Sequence, residues 1–299
     1  MKELIGSYKN GNYKVFIFDD GTMIRHTEDN TYRPEFPDSM DIKITNKCNG
    51  NCLYCHERST PDGNHGKILN VPFLNSLRPY TQLAIGGGNV LEHPDFIPFL
   101  IWCKERSIIA SITLNQKHFM ENLDTVRYLI SNKLIYGLGI SLVYPTPEFI
   151  NTVKEFENAV IHVIAGIVSS SVMEKLYNND LKLLILGYKR FGNGKDYYEL
   201  HQSPVDLNIN WLKKELVNFI DKFNTISFDN LAIHQLNIQD ILSEDMWDKF
   251  YMGDDGSHTM YVDTVNEEFA VSSTSTVRHK YHEETIEDMF KIVKEDCLK

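Results

Sequence analysis

The sequence has no run of the roughly 20 apolar residues that a membrane-spanning helix requires. Its opening, Met1-Lys2-Glu3-Leu4-Ile5-Gly6, also has no signal-peptide apolar core. A cytoplasmic protein with no membrane partner is the expectation. Positive charge is in short supply: Lys and Arg number 30 against 41 Asp and Glu, for a formal net charge of -11. Affinity for nucleic acid comes mainly from Lys and Arg releasing counterions from phosphate, so a broad nucleic-acid-tracking surface is disfavoured. Cysteine is scarce and unevenly placed. Of the five, Cys48, Cys52 and Cys55 fall in one short stretch, while Cys103 and Cys297 stand alone. An odd, clustered set argues against a disulfide framework and for metal or cluster ligation in a reducing compartment.

What is present is the composition of a folded globular chain, 42% hydrophobic and 24% charged, without a bias toward disorder, collagen or coiled coil. The 299 residues suit two ordinary domains or one large α/β barrel with small additions. Lys14 to Phe18, the Asp19-Asp20-Gly21-Thr22 turn and Met23 to Arg25 predict an N-terminal hairpin. Arg33-Pro34 and Phe36-Pro37 then disfavour regular structure, so residues 1–37 read as a hairpin appendage.

From Met40 onward, short β-branched runs alternate with amphipathic stretches. Strands are expected at Asp41 to Thr45, Gln82 to Ile85, Ile108 to Leu114, Tyr136 to Val143, Ala159 to Val168 and Leu181 to Tyr188. Phe96, Phe99, Leu100 and Cys103 illustrate the helical spacing between them. Successive strand-then-helix units imply parallel pairing with crossovers, and residues 38–245 read as a full or partial barrel core. Leu212, Leu216, Phe219, Ile220 and Phe223 share one helical face, and Thr225 to Leu236 is a candidate further strand. His258 to Val265 and Phe269 to Ser273 predict a C-terminal hairpin. Ile286, Met289, Phe290 and Val293 predict a docked terminal helix, so residues 246–299 read as an α+β extension.

The three clustered cysteines lie directly after the first core strand, in Lys47-Cys48-Asn49-Gly50-Asn51-Cys52-Leu53-Tyr54-Cys55-His56. Soft thiolates suit iron-sulfur clusters and zinc, and three of them leave one iron of a [4Fe-4S] cube without a protein ligand. Loops after strands build the active-site face of barrel folds. The C-x3-C-x2-C spacing, with the aromatic Tyr54 before the third cysteine, resembles the radical S-adenosylmethionine (SAM) superfamily. The resemblance runs over roughly residues 40 to 190.

That resemblance implies an α/β fold, a partial (β/α)6-type radical SAM barrel with a small N-terminal hairpin and a C-terminal α+β extension. It implies an oxygen-sensitive enzyme in which Cys48, Cys52 and Cys55 hold a [4Fe-4S] cluster. One electron from the cluster splits SAM into methionine and a 5'-deoxyadenosyl radical, which takes a hydrogen atom from a substrate. A flavodoxin- or ferredoxin-like one-electron reductant is the expected partner.

Ile85-Gly86-Gly87-Gly88-Asn89, followed by His93-Pro94-Asp95-Phe96, resembles the family's Gly-Gly-Glu motif at the SAM ammonium, in the register Gly87, Gly88, Asn89. Asn89 replaces the Glu, keeping a carbonyl acceptor but losing the charge. A tight strand-to-helix turn accounts for the glycines equally well. Asn115 ends its strand as the polar strand-end of the family does, and Ser141 is placed to reach the SAM ribose or carboxylate, although an amide or hydroxyl bonded to neighbouring backbone is the commoner outcome for each; Ile164 resembles the residue that packs on adenine. His162 reads more simply as a satisfied core histidine. Tyr188 and Arg190, with Lys189, are the candidate catalytic or substrate-contacting residues at the barrel mouth. Cys103 reads as a core hydrophobe, the Gly253-Asp254-Asp255-Gly256 loop as a solvated turn, and nothing supplies auxiliary-cluster cysteines.

The substrate is expected to be a peptide or protein side chain, because Thr259 to Asp263 resembles the start of C-terminal extensions in peptide-modifying members. A nucleotide or other small metabolite is the alternative within the class. From another class comes a zinc-stabilised, non-enzymatic binding module completed by His56 or His65.

Overall fold

A computed structural model describes residues 3–298. Its principal feature is a 10-stranded sheet in the order β10-β9-β8-β7-β6-β5-β4-β11-β12-β13. The strands are β4 (Ser39–Thr45), β5 (Gln82–Gly87), β6 (Ile109–Asn115), β7 (Gly137–Ser141), β8 (Ala159–Ile164), β9 (Lys182–Leu186), β10 (Thr225–Phe228), β11 (Thr259–Asp263), β12 (Glu268–Ala270) and β13 (His279–Lys280). Neighbours from β4 to β10 pair in parallel, which is why longer, mostly helical crossovers separate them.

Alternation along each strand sorts the two faces. Met40, Ile42 and Ile44, Leu83 and Ile85, Ile112 and Leu114, Ile161 and Val163, and Leu183 and Ile185 are buried against the covering helices. Phe96, Phe99, Leu100 and Cys103 answer them from the Phe96–Glu105 helix. Each fully buried side chain of this kind contributes about 1.5–3 kcal/mol. Burial also pushes the Cys103 thiol up to about 12, as befits a core hydrophobe.

The alternate residues face inward and are smaller or polar: Asp41 and Lys43, Ala84 and Gly86, Ser111 and Thr113, Gly137 and Gly139, then His162, Leu184 and Leu186. Most are only partly covered, so the concave side encloses a lumen. The strand order is open, yet side chains from its two ends meet. Asn230, just after β10, donates to Asp255 Oδ1 at 2.8 Å and Gly253 O at 3.3 Å. Lys189, just after β9, reaches Ser273 Oγ at 2.9 Å. The segment around β11 and β12 thus lies across the seam of a partial barrel.

Several elements differ from the sequence expectation. The N-terminal hairpin is a 3-stranded sheet, because β1 (Leu4–Asn10) pairs with β2 (Tyr13–Phe18) ahead of β3 (Met23–His26). β1 is too polar to carry a strand signal alone. The run from Thr225 is a strand only to Phe228. Asp229 then caps a helix, Asn230–Leu236, by accepting from Ala232 N at 2.8 Å. Ile220 is exposed because the preceding helix ends at Phe219. Within the C-terminal part, β11 pairs antiparallel with β12 as expected, and also parallel with β4. Ile286, Met289, Phe290 and Val293 are the buried face of the Ile286–Asp296 helix.

Asp38 ties these parts together at the base of β4. Fully buried, it accepts from Tyr8 (2.9 Å), Asn10 (2.9 Å), Tyr13 (2.8 Å) and Arg25 Nε (2.7 Å), and His258 lies 3.5 Å away. Burial alone would raise its pKa, but His258, Arg25, Asn10 and Tyr13 together lower it from 3.8 to about 2. A depressed carboxylate adds stability above its unfolded pKa that is lost as pH falls through the folded one. Urea denaturation should therefore find wild-type stability dropping between pH 4 and about pH 2. Asp38→Asn should cost about 3–5 kcal/mol at neutral pH by stranding the buried Arg25, and should flatten that acid limb.

Candidate functional site

The loop leaving the C-terminal end of β4 carries Cys48, Cys52 and Cys55. All three are free and half-buried. Backbone bonds shape it: Cys48 N donates to Thr60 O at 2.9 Å, and Cys55 N to Cys52 O at 3.1 Å. Gly50 lies between two of the sulfurs, where a Cβ would come within 3.2 Å of Cys48 Sγ and 3.8 Å of Cys52 Sγ. Donors already point at sulfur, Gly50 N at Cys48 Sγ (3.3 Å) and Asn115 Nδ2 at Cys52 Sγ (3.6 Å). Burial raises the pKa of Cys48 and Cys52.

Two buried atoms beside this loop, Asn46 Oδ1 and Ser59 Oγ, have no hydrogen-bond partner. Among the described residues, no three His, Cys, Asp or Glu side chains converge to hold a metal ion as they stand. His56 Nε2 faces Glu57 Oε1 at 3.3 Å and Lys189 at 3.5 Å, while His65 Nδ1 bonds Thr45 Oγ1 at 2.9 Å.

The glycine turn after β5 presses against the root of the loop. Gly87 has φ +113, and a Cβ there would meet Thr45 O at 2.4 Å. A Cβ on Gly88 would meet Lys47 O at 2.2 Å. Gly88 N and Asn89 N donate to Thr45 O and Lys47 O, both at 2.7 Å. Asn89 is buried and caps the next turn, its carbonyl accepting from Leu91 N at 3.3 Å and its amide donating to Glu92 at 3.1 Å. One lone pair of that carbonyl remains for a ligand. Asn115 caps the following helix through Lys117 N at 2.9 Å while touching Cys52. Ser141 and Ile164 stand half-covered at the ends of β7 and β8.

Tyr54 packs edge-on against Tyr197, ring centroids 5.9 Å apart, and burial pushes its hydroxyl up to about 12. Tyr188 is buried, with its hydroxyl engaged by Gly194 O at 2.7 Å. Arg190 stacks on Tyr198 at 3.6 Å. Lys189 points back to the seam.

His162 is not a satisfied core histidine: among the described residues its ring has no hydrogen bond. It lies on the lumen wall, in space that only a glycine at 139 leaves open, and burial pushes it down to about 4.

The sequence reading missed a charge knot beside the loop. Lys43 Nζ sits 2.7 Å from Glu57 Oε2 and 3.0 Å from Asp263 Oδ2, with Tyr261 OH donating to Glu57 Oε1 at 3.2 Å. Burial works against the Lys43 ammonium, and the two carboxylates more than reverse it. Burial likewise works against ionised Glu57, but His56 and Lys43 hold it well below the usual carboxylate range. The available signal was a lysine alternating with isoleucines inside a strand, opposite an aspartate in another.

The chain is similar in fold to Streptococcus suis SuiB. SuiB bound to S-adenosylmethionine superposes with a TM-score of 0.59 at 14% identity, covering 94% of this chain and 84% of that one. SuiB bound to precursor peptide SuiA superposes at 0.57 and 15% identity, covering 87% of this chain. Here the chain spans 65% of the length of its relative. No protein-family model matches the sequence, and no curated protein matches it.

The turn geometry is directly testable. Gly88→Ala should cost about 1–3 kcal/mol in chemical denaturation because its methyl meets fixed backbone. Gly86→Ala meets nothing within 4 Å, and should be neutral or stabilising by up to about 1 kcal/mol.

Proposed function

We propose that this chain is a radical SAM enzyme in which Cys48, Cys52 and Cys55 hold a [4Fe-4S] cluster. The observation that carries the reading is three free thiols in one loop at the strand-end mouth of a hollow partial barrel. When bound, the cluster would supply the one electron that reductive SAM cleavage requires. The donor set fits: soft ligands, sulfurs already receiving N–H donors, and two orphaned polar atoms alongside. A four-iron cube takes one thiolate on each of three separate irons. Zinc draws all its ligands to one centre, whereas His56 and His65 already face Glu57 and Thr45.

The chain's own groups have separable tasks. Gly50 N–H and Asn115 stabilise thiolate charge at sulfur. Gly87 and Gly88 let the β5 turn approach the loop, bringing Asn89 beside it. Ser141 and Ile164, on neighbouring strand ends, are the candidate contacts for the SAM ribose or carboxylate and the adenine. Tyr188 and Arg190 serve best as supports of the mouth, since both already have partners.

The substrate is a peptide or protein side chain, a reading supported by likeness to a fold whose relative SuiB was crystallised with a precursor peptide. An external one-electron donor completes the reaction. No described helix is long and apolar enough to cross a membrane.

Anaerobic reconstitution followed by iron analysis and an assay for 5'-deoxyadenosine tests the proposal. Iron should bind and 5'-deoxyadenosine should form with SAM and reductant. Replacing Cys48, Cys52 or Cys55 with Ala should abolish both, while Cys103→Ala should retain both. Cleavage that survives in the triple Ala variant would sink the mechanism.

A further inference from the structure

The inward face of β4 carries a carboxylate that the fold leaves unmatched. Met40 and Ile42 turn into the core, so Asp41 between them turns into the lumen. Its side chain is exposed to solvent within the lumen. Among the described residues it makes no hydrogen bond and no ion pair.

Its neighbours do not settle its charge. Lys189 attracts it, but that ammonium is held on Ser273 Oγ at 2.9 Å. Lys43, two residues on, is committed to Glu57 and Asp263. Enclosure raises the Asp41 pKa above its ordinary value, and Asp255, Asp229 and Glu57 add repulsion. Asp41 has no ion pair of its own among the described residues and three carboxylates that repel it, so an arriving cation would relieve that repulsion.

The surroundings suit more than a bare ion. Paired with Asp41 on β5 is Ala84, and Ala84 pairs in turn with Ser111. Gly86, Gly137 and Gly139 follow on the same concave face. Small residues here keep the space open, and nothing lies within 4 Å of where a Cβ on Gly86 would stand. Farther round the wall the inward residues become aliphatic: Val160, Ile164, Leu184 and Leu186, all partly uncovered. His162 among them is neutral at physiological pH, with burial holding it near 4, so it does not repel a cation. One side of the lumen therefore offers an unpaired negative charge, and another offers apolar surface.

We infer that Asp41 anchors the substrate, and that the lumen receives a side chain carrying a positive charge at the end of an aliphatic stem, as in a lysine or arginine of a peptide. This rests on the reading of the barrel as the reaction chamber. Charge pairing fixes which residue enters, and the aliphatic wall packs its stem.

The test uses the full chain, anaerobically reconstituted and saturated with SAM, titrated by calorimetry with three probes. These are the Nα-acetyl N-methylamides of lysine, arginine and norleucine, the last matching the lysine stem without its charge. A charge-assisted contact predicts that at least one cationic probe binds about tenfold or more tightly than the norleucine derivative. Asp41→Asn should erase that preference, and Asp41→Glu should restore part of it. Equal binding of all three probes, binding of none, or an unchanged preference in Asp41→Asn would overturn the assignment. So would a loss of SAM affinity in Asp41→Asn with the cation preference intact, which would place the carboxylate at SAM instead. Iron content and SAM binding are measured on the same samples. Their absence in the wild type defeats the enzyme reading, whereas a loaded protein without cation preference defeats only the role of Asp41.

Discussion

Lys43 stands on β4 with 5% of its side chain exposed, between Glu57 of the cysteine loop and Asp263 of β11. A charge so enclosed is tolerable only when its partners are close and themselves satisfied. Both conditions hold. Glu57 is further engaged by His56 and Tyr261, and Asp263 accepts from Val265 N, Asn266 N and the Asn266 amide. The cysteine loop, the first barrel strand and a strand from far along the chain are thereby held as one unit. Displacing any of the three leaves an unpaired charge in a dry place, so the position of the cysteines is set by electrostatics as much as by backbone bonds.

The hollow barrel follows from what alternates with the core residues. A parallel strand covered on both faces reads as a near-continuous apolar run. These strands instead alternate large aliphatics with Gly, Ala, Ser, Thr and isolated charges, so one face packs against helices and the other lines a space. The same alternation decides which polar residues are packed into the fold and which face the lumen. Asp38 directly precedes β4 and Asp41 lies within it, and only Asp38 is surrounded by donors.

Much of this was legible in advance, for identifiable reasons. Strand positions and the helix of Phe96, Phe99, Leu100 and Cys103 were readable because period-2 and period-3.6 burial both leave strong local patterns. The cysteine loop stood out because three of the five cysteines fall in one short stretch after a strand. β1 did not, since its residues are mostly polar and its pairing depends on β2. What the structure shows of Asn89 and Asn115 was not legible: a short amide at a strand end marks a polar position, but not that the side chain caps the next helical turn. His162 was misjudged because the sequence cannot tell an inward position in a filled barrel from one in a hollow barrel. The knot of Lys43, Glu57 and Asp263 was invisible, because two of its members lie 220 residues apart.

That separation has a temporal side. A chain synthesised from its N-terminus completes β4 and the cysteine loop long before Asp263 exists, and finishes β10 before the segment that closes the seam. Until the last strands arrive, Lys43 has only Glu57, and the lumen is open along one flank. Pairing at such sequence distance is slow because loop closure must come first. The three thiols are therefore synthesised well before the strands that complete the wall beside them.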